Sequence, residues 1–274
     1  AGDGGGIRVV GANGADVSAS SNPNNWYGID IINNIIVNNV SAVAGGGISL
    51  ADATRVRIIN NTIANNDSSA TAFAAFGVNA SQSTPQVAGI ASHQHGTDLQ
   101  LLSGQTFANP LLQNNIISTN RSWYFDRATV PAGLFARPAG PWDLGVVELP
   151  GSALTPDHCL LTGSDPLFVL PYLNTLLTAV VIDEAGNNVN VRHTPTGPNG
   201  DYHIGTGSPA INGGATATVT YDYDQQLRPT AGTATDIGAD EFGSTATAVA
   251  FAATAPIDGP AATGAAPPVT AATG

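Results

Sequence analysis

The chain has no lysine, no methionine, one cysteine and few aromatic residues. Only 10% of its 274 residues are charged, its eight basic residues are all arginine, and its net charge at pH 7 is −12. An acidic chain of this kind repels polyanions. The composition therefore argues against nucleic acid and anionic membrane surfaces as partners.

Two further absences limit the architecture. A single cysteine, Cys159, provides neither a disulfide framework nor a cysteine-based metal site, so we interpret it as a small buried thiol. No run approaches the roughly 20 apolar residues of a membrane-spanning helix. The missing methionine predicts that the chain begins after a processing event or is one segment of a longer polypeptide. Together with plentiful Thr, Asn and Ala, the low charge is typical of an extracellular or cell-surface protein.

Turn-forming residues are abundant instead, with 32 Gly and 18 Pro, which predicts many short strands rather than helices. One pattern recurs as IINNIIVNN at 31–39, IINNTIANN at 58–66 and, more loosely, LQNNIISTN at 112–120. Asn tolerates the left-handed backbone region and therefore suits the bends between two short strands. Because such a repeat buries its apolar face only by stacking on its neighbours, the pattern predicts a solenoid.

The repeats differ in length at one corner. Ile7, Ile48 and Ile90 each follow a glycine, and the Asn pair of the repeat (33–34, 60–61 and 114–115) begins 26, 12 and 24 residues later, respectively. The second repeat, 48–66, is therefore the minimal one. The other two carry insertions at 11–27 and 92–110, which we expect on the same corner, where loops give a solenoid its individual surface.

The segment 45–66 carries Gly-Gly-Gly-Ile at 45–48 and Asn pairs at 60–61 and 65–66. It resembles the rungs of the right-handed parallel β-helix superfamily, the pectin-lyase-like fold. The resemblance implies rungs stacked about 4.8 Å apart, with Ile and Val columns inside and Asn ladders along a corner. The predicted fold class is all-β: a right-handed parallel β-helix with corner loop insertions and an extended C-terminal tail.

Further blocks follow in a fixed order. They are DPLF at 165–168, DYHI at 201–204, SPAINGG at 208–214, DYD at 222–224, RP at 228–229 and DIGADEF at 236–242. These blocks resemble the C-terminal module of bacterial surface β-helix proteins called choice-of-anchor Q domain proteins. Asn212, Gln225 and Asp240 depart from the residues usual there. The resemblance implies a β-helix end module on a secreted or surface protein, without catalytic residues of its own.

Three regions follow from these patterns. Residues 1–163 are predicted to form the β-helix rungs, and 164–242 the end module, with a hairpin or side-strand insertion at 174–191. The tail, 243–274, has the Ala/Thr/Gly/Pro composition of a disordered segment. We expect a neighbouring surface or subunit to hold it, because its segment 246–254 is suited to add as a strand to an exposed sheet edge.

His93 and His95 form the first candidate site. Residues two apart in a strand face the same side, so both imidazoles can coordinate one metal ion. The alternative is two polar residues at the end of a strand. No third ligand can be named from the sequence.

The second candidate site is an acidic cluster around Arg228, made of Asp222, Asp224, Asp236, Asp240 and Glu241. Hard oxygen ligands suit calcium, which is the only cofactor that the sequence suggests. The alternative is a clamp in which two carboxylates hold Arg228 and lock the module.

No catalytic constellation emerges. Enzymes of the resembling fold use Arg or Lys, or paired or tripled Asp, to cleave acidic sugars. Asp30, Asp52, Asp98, Arg55 and Arg57 lie near the strands, but there is no lysine and no Asp-Asp pair. The sequence favours a non-catalytic extracellular structural or adhesive protein that assembles with its own copies or with a larger surface complex, through its tail and open helix ends. The alternatives are a polysaccharide lyase or glycoside hydrolase acting on acidic glycans, and a carbohydrate-binding module.

Overall fold

The computed structural model describes residues 2–173, 176, 196–197, 200–216, 219–229 and 234–244. The tail beyond Ser244 and, apart from residue 176, the hairpin predicted over 174–191 lie outside the described residues. Both remain predictions from the sequence.

Four successive repeats supply most of the strands. The first contains β1 (Ile7–Val10), β2 (Ile29–Ile32), β3 (Ile35–Val37) and β4 (Val40–Ser41). The second contains β5 (Ile48–Ala51), β6 (Val56–Ile59), β7 (Thr62–Ala64) and β8 (Asp67–Ser68). The third contains β9 (Ile90–His93), β10 (Leu111–Gln113), β11 (Ile116–Ser118) and β12 (Arg121–Asp126). After β13 (Gly133–Ala136), the fourth contains β14 (Leu144–Val147), β15 (Pro156–Asp157) and β16 (Leu160–Leu161).

Equivalent strands of the repeats pair in parallel and build four stacked sheets. The first sheet has the order β1-β5-β9-β14, the second β2-β6-β10-β15, the third β3-β7-β11-β16 and the fourth β4-β8-β12, to which β13 adds antiparallel. Because each repeat visits the sheets in the same order, the protein is a solenoid-like all-β repeat protein. The short apolar stretch 157–161 reads as one strand in the sequence, but the structure has two, β15 and β16, because the backbone turns through the left-handed region at His158 (φ 47°).

The core lies between the sheets and is built from stacked aliphatic columns. In the second repeat, Ile48, Leu50, Ile58 and Ile63 are completely buried. Full burial of such a side chain contributes about 1.5–3 kcal/mol. These columns are the reason that the short apolar runs of successive repeats keep a common register.

The corner between the second and third sheets repeats one local structure. Asn33, Asn60 and Asn114 occupy the left-handed region there, with φ of 55°, 53° and 54°. The residue after each joins a buried ladder: Nδ2 of Asn34 donates to Oδ1 of Asn61, and Nδ2 of Asn61 to Oδ1 of Asn115, both at 3.0 Å. Cys159, a free and partly buried thiol, takes the fourth position of the ladder.

A second ladder runs along the corner between the third and fourth sheets. It joins Asn39, Asn66, Asn120 and Asp143. The links are 3.0, 2.9 and 2.9 Å long, and they leave the amides of the inner repeats fully paired. Because buried amides are costly when unpaired, the ladders explain why Asn recurs at fixed positions.

Both long insertions lie at the corner between the first and second sheets. They contain the two α-helices, α1 (Ala15–Ala19) and α2 (Thr97–Ser103), which pack together across the short corner of the second repeat. Val17, Trp26 and Leu99 form a small separate core between them. Among the described residues, neither helix has the length and apolar composition needed to cross a membrane.

The described part of 164–242 lies against the outer face of the third sheet. Its antiparallel strands β17 (Phe168–Leu170), β18 (Thr196–Gly197) and β19 (Gly200–Ile204) and the loops after them cover all four repeats. Ile204 and Ile237 pack on Ile116 and Leu160. The third sheet is therefore buried on both faces, which explains why its strands are continuous apolar runs rather than alternating ones.

The same segment binds the outward-facing Asn side chains at both edges of this sheet. At one corner, Asn114 exchanges two 2.8 Å hydrogen bonds with the backbone of Ala215. At the other, Nδ2 of Asn38 and of Asn65 donate to the hydroxyl of Tyr202 at 2.8 and 2.7 Å. The segment predicted as an end module is thus a side cover, held by the repeats along their length.

Candidate functional site

The corner that follows the first sheet has an unusual backbone. The register of this sheet places Gly11, Asp52, Gln94 and Glu148 at equivalent positions, one residue beyond each strand. Asp52 and Glu148 adopt the left-handed conformation, with φ of 50° and 68°. For a residue with a long side chain this conformation costs about 1 kcal/mol or more. Two carboxylates are held at this corner at a conformational cost.

A cleft of about 340 Å³ opens beside these residues. Its lining consists of Asp3, Ala51, His93, Gln94, His95, Gly96 and Glu148. Neither lysine nor arginine belongs to this lining. Because low-dielectric walls concentrate the field of carboxylates, the cleft attracts positive charge.

His93 lies between two carboxylates. Its Nδ1 is 3.0 Å from Oε1 of Glu148, and since an ionised carboxylate only accepts, we assign the proton to Nδ1. In the neutral form of the ring with this tautomer, Nε2 is an acceptor. It lies 3.9 Å from Oδ1 of Asp3, and it is buried without a hydrogen-bond partner. Oδ1 of Asp3 accepts from the Ala44 amide at 3.2 Å, whereas Nε2 of His93 has no partner.

His95 is 3% exposed, and neither of its ring nitrogens makes a hydrogen bond. Nδ1 is 3.5 Å from Oδ1 of Asp52, which instead accepts from the Gly96 amide at 2.9 Å. Burial lowers the pKa of His95 against the smaller opposing effects of Asp52 and Gln105, so the ring is neutral at pH 7. Oε1 of Gln105 is also buried without a partner. Each such buried atom costs about 1–3 kcal/mol.

Both predicted histidines line the same cleft, but they face different carboxylates. Asp3 and Glu148 flank His93, whereas Asp52 faces His95. Across the part of the chain that the structure describes, no three His, Cys, Asp or Glu side chains are grouped in a way that could hold a metal ion. Metal binding by His93 and His95 stays a prediction without a third ligand in place.

Sequence interpretation missed two members of the site, Asp3 and Glu148. For Glu148 a signal existed, because it directly follows a strand of the first sheet, as Asp52 does. Asp3 precedes β1, and nothing in the local sequence places it near His93, which lies two repeats away. Only the three-dimensional path of the chain brings these two residues together.

The acidic cluster around Arg228 has a structural arrangement. Arg228, 2% exposed, pairs with one carboxylate, that of Glu241 at 3.0 Å, rather than with the predicted two. Its other strong contacts are the carbonyl oxygens of Gly238 and Ala239, both at 2.9 Å. A further bond, of 3.2 Å, reaches Oδ1 of Asn33 in the first repeat. Arg228 therefore joins the C-terminal segment to the repeats.

The remaining acids of this cluster accept backbone N–H groups. Oδ1 of Asp222 accepts from Gln226 at 2.7 Å, and Oδ2 accepts from Glu241 at 3.1 Å. Burial and the neighbouring Asp224 carboxylate raise the pKa of Asp222 to about 7. Burial likewise raises the pKa of Asp236, which accepts from two backbone amides. These oxygens are engaged within the fold, and calcium binding stays a prediction that melting with and without calcium tests.

Asp240 and Asp224 take part in a neighbouring group. Oδ2 of Asp240 accepts from the Ile204 amide at 2.9 Å, and burial raises the pKa of Asp240. Asp224 faces His203 at 3.5 Å, and His203 also contacts Asp201 and the Tyr223 hydroxyl. The two acids partner different groups, so the predicted calcium ligands do not converge on one point.

The fold and the cleft together define a class: a solenoid-like all-β repeat protein with an acidic, imidazole-lined cleft at one corner. Comparison with protein-family models, with curated proteins and with solved structures finds no match to the chain. The pectin-lyase-like and choice-of-anchor Q resemblances therefore rest on the sequence blocks quoted above.

Proposed function

We propose that this chain is a right-handed parallel β-helix of the pectin-lyase-like kind that serves as a non-catalytic extracellular scaffold in a cell-surface or filamentous assembly. The stacked parallel sheets support the architecture, because the first three repeats visit all four in the same order and the fourth repeat visits the first three. The block resemblance over 164–242 supports placement at a cell surface.

The observation that carries this proposal is that the buried polar side chains hydrogen-bond to one another and to the backbone. The Asn ladders pair repeat with repeat, and the outward Asn side chains hold the C-terminal segment. Arg228 stabilises the same segment through its ion pair with Glu241 and its hydrogen bond to the carbonyl oxygen of Gly238. Asn, Arg, Asp and Glu side chains serve catalysis in other proteins. Here they hydrogen-bond within the fold, and paired buried polar groups of this kind specify one rigid packing.

The fourth repeat supports assembly. Among the described strands, β14, β15 and β16 are the last members of their sheets and have no strand on their outer side. Leu144, Val146 and Leu161 belong to the core columns but are only partly buried. An exposed strand edge beside apolar side chains is a template for pairing with another chain. The second partner surface that we propose is the tail.

Light scattering tests assembly. We expect the full chain to form oligomers and a chain ending at Gly243 to lose mass. Val147→Lys places a charge on the edge strand β14 and should have the same effect. Val78→Lys, at a site 96% exposed, is the matched control and should leave the mass unchanged. A full chain that is monomeric at all concentrations would overturn the proposal.

The cleft favours a second candidate function, recognition or cleavage of a glycan. Asp52 and Glu148 lie in the second and fourth repeats, so about 10 Å separates their backbones at the usual strand spacing. Carboxylates flanking a polar cleft suit hydroxyl groups and acid–base catalysis. Incubation with polymers of acidic and neutral sugars, followed by detection of unsaturated or reducing ends, separates an enzyme from a binding module or a scaffold.

A further inference from the structure

We propose that the cleft at the end of the first sheet binds a ligand through its protonated amines, such as an amino-sugar chain or a polyamine. The site comprises Asp3, Asp52, His93, His95 and Glu148. This proposal is independent of assembly, because a monomeric chain can bind the same ligand.

The first argument is the pattern of missing donors. Nε2 of His93 faces the Asp3 carboxylate at 3.9 Å, too far for a hydrogen bond but close enough for one donor group to contact both. An ammonium group supplies three N–H donors and no acceptor. It therefore complements a pair of acceptors, whereas a carboxylate or phosphate oxygen would add a third acceptor.

His95 provides the second argument. It is almost completely buried, it lines the cleft, and both of its ring nitrogens lack partners. A buried imidazole in a purely structural position usually donates to a carbonyl or carboxylate. Here Asp52 stands 3.5 Å away, and its oxygen is used by Gly96 instead. The ring nitrogens of His95 are therefore buried next to the cleft without a normal hydrogen bond, although Asp52 and Gln105 lie close enough to affect its pKa.

The charge of the cleft selects the ligand class. Asp3 and Glu148 contribute two carboxylates to the lining, and neither lysine nor arginine lines the cleft to balance them. Asp52 adds a third carboxylate outside the lining, 3.5 Å from His95. Of the glycans in the second candidate function, acidic chains are therefore repelled and neutral chains gain nothing from the carboxylates' charge, which leaves an amino-sugar chain. The side chains of Asp52 and Glu148 are 43% and 50% exposed, so they can adjust to an incoming ammonium group.

A single metal ion fits the same residues less well. No three ligating side chains among the described residues are grouped to hold one. Carboxylates that follow strands of different repeats are spaced along the sheet rather than around a point. Amines distributed along a flexible chain match carboxylates distributed in this way.

Calorimetric titration of the full chain tests the proposal with three probes: spermidine, a glucosamine tetramer and the fully N-acetylated tetramer. We expect the amine-bearing probes to bind and the acetylated tetramer not to bind. Preference between the first two identifies the source of the amine. Binding should weaken as ionic strength rises, because part of it is Coulombic.

Two variants and one control assign the binding to the cleft. Glu148→Gln and Asp3→Asn should each weaken amine binding at least about tenfold. Asp98→Asn makes the same change of charge on α2 outside the cleft lining and should bind as the parent does. Melting curves establish that all three variants fold.

Three results would overturn the proposal. Equal weakening by Asp98→Asn would assign the binding to net charge alone. Equal binding of the acetylated tetramer would make the ligand a neutral sugar. Failure of both amine probes, or Zn²⁺ binding that EDTA reverses while amines fail to compete, would exclude an amine site.

Discussion

Two corners of the repeat use polar residues in opposite ways. At the corner between the second and third sheets, Asn61 is buried and bonded to the repeats on both sides, and the C-terminal segment covers the outer side. At the corner after the first sheet, His95 is equally buried, yet its ring nitrogens have no partner. Burial is nearly the same, and the pairing of these two side chains differs, although Oδ1 of Asn60 at the first corner is also without a partner.

The difference separates structural from functional positions. A paired buried amide stabilises the packing that satisfies it, whereas an unpaired buried imidazole lowers the stability of the protein that contains it. Natural proteins retain such destabilising groups at functional sites. Pairing, more than residue type, therefore indicates where a ligand is to be sought on this scaffold.

The largest expected effect comes from breaking the paired corner. Asn61→Ala removes donors to the carbonyl oxygens of Ile31 and Ile59 and to Asn115, and the acceptor for Asn34. We expect unfolding free energy to fall by about 3 kcal/mol or more, because several buried groups lose their partners. Urea unfolding measures the change.

Asn34→Ala is the matched control, because Asn34 occupies the exposed end of the same ladder. Its loss should cost under about 1 kcal/mol. Equal costs at the two positions would contradict the view that burial and double-sided pairing make the ladder stable.

The open corner should respond with the opposite sign. His95→Leu replaces an unpartnered imidazole with an apolar side chain of similar size. We expect unfolding free energy to rise by about 1 kcal/mol, because the desolvation cost of two unpaired nitrogens disappears. Amine binding should weaken in the same variant. A loss of stability in urea unfolding would mean that His95 has a structural partner role after all.

Changing the pH should distinguish the C-terminal segment, which contains Asp222, from the cleft, which contains His95. The folded-state pKa of Asp222, about 7, lies above its ordinary value of 3.8, so its contribution to stability is lost as pH rises through 7. The pKa of His95 is lowered below 6.5, so its contribution is lost as pH falls below that value. We expect unfolding free energy to rise by about 1 kcal/mol from about pH 8 to 6.5 and then to level off, because below 6.5 the loss from His95 offsets the continuing gain from Asp222.

Variants assign the two limbs of this pH profile. Asp222→Asn should flatten the limb above pH 6.5, and His95→Leu should let stability continue to rise below it. Chemical denaturation at a series of pH values provides the measurement. A profile in Asp222→Asn that matches the parent would show that other buried acids, such as Asp236, dominate the upper limb.

Sequence patterns predict one of these corners far better than the other. Asn60 and Asn61 recur at fixed spacing because every repeat needs the same bend and ladder, so periodicity reveals them. The sequence blocks predicted 164–242 as an end module of the β-helix, whereas the described part of this segment covers the third sheet, whose unbroken apolar run at 35–37 is typical of a strand buried on both faces. The cleft was predicted only through His93 and His95, because its carboxylates come from single positions in different repeats.

The smallest effect is expected where a charged pair lies on an exposed face. Arg57 and Asp30 come from neighbouring strands, and Nε of Arg57 donates to Oδ1 of Asp30 at 2.6 Å. Their side chains are 41% and 42% exposed, so solvent screens the attraction, and Arg57→Ala should cost about 0.5 kcal/mol or less. A cost above about 2 kcal/mol in urea unfolding would contradict this. The comparison of corners would then need revision, because pairing on an uncovered face would stabilise the repeats as strongly as pairing in a buried ladder.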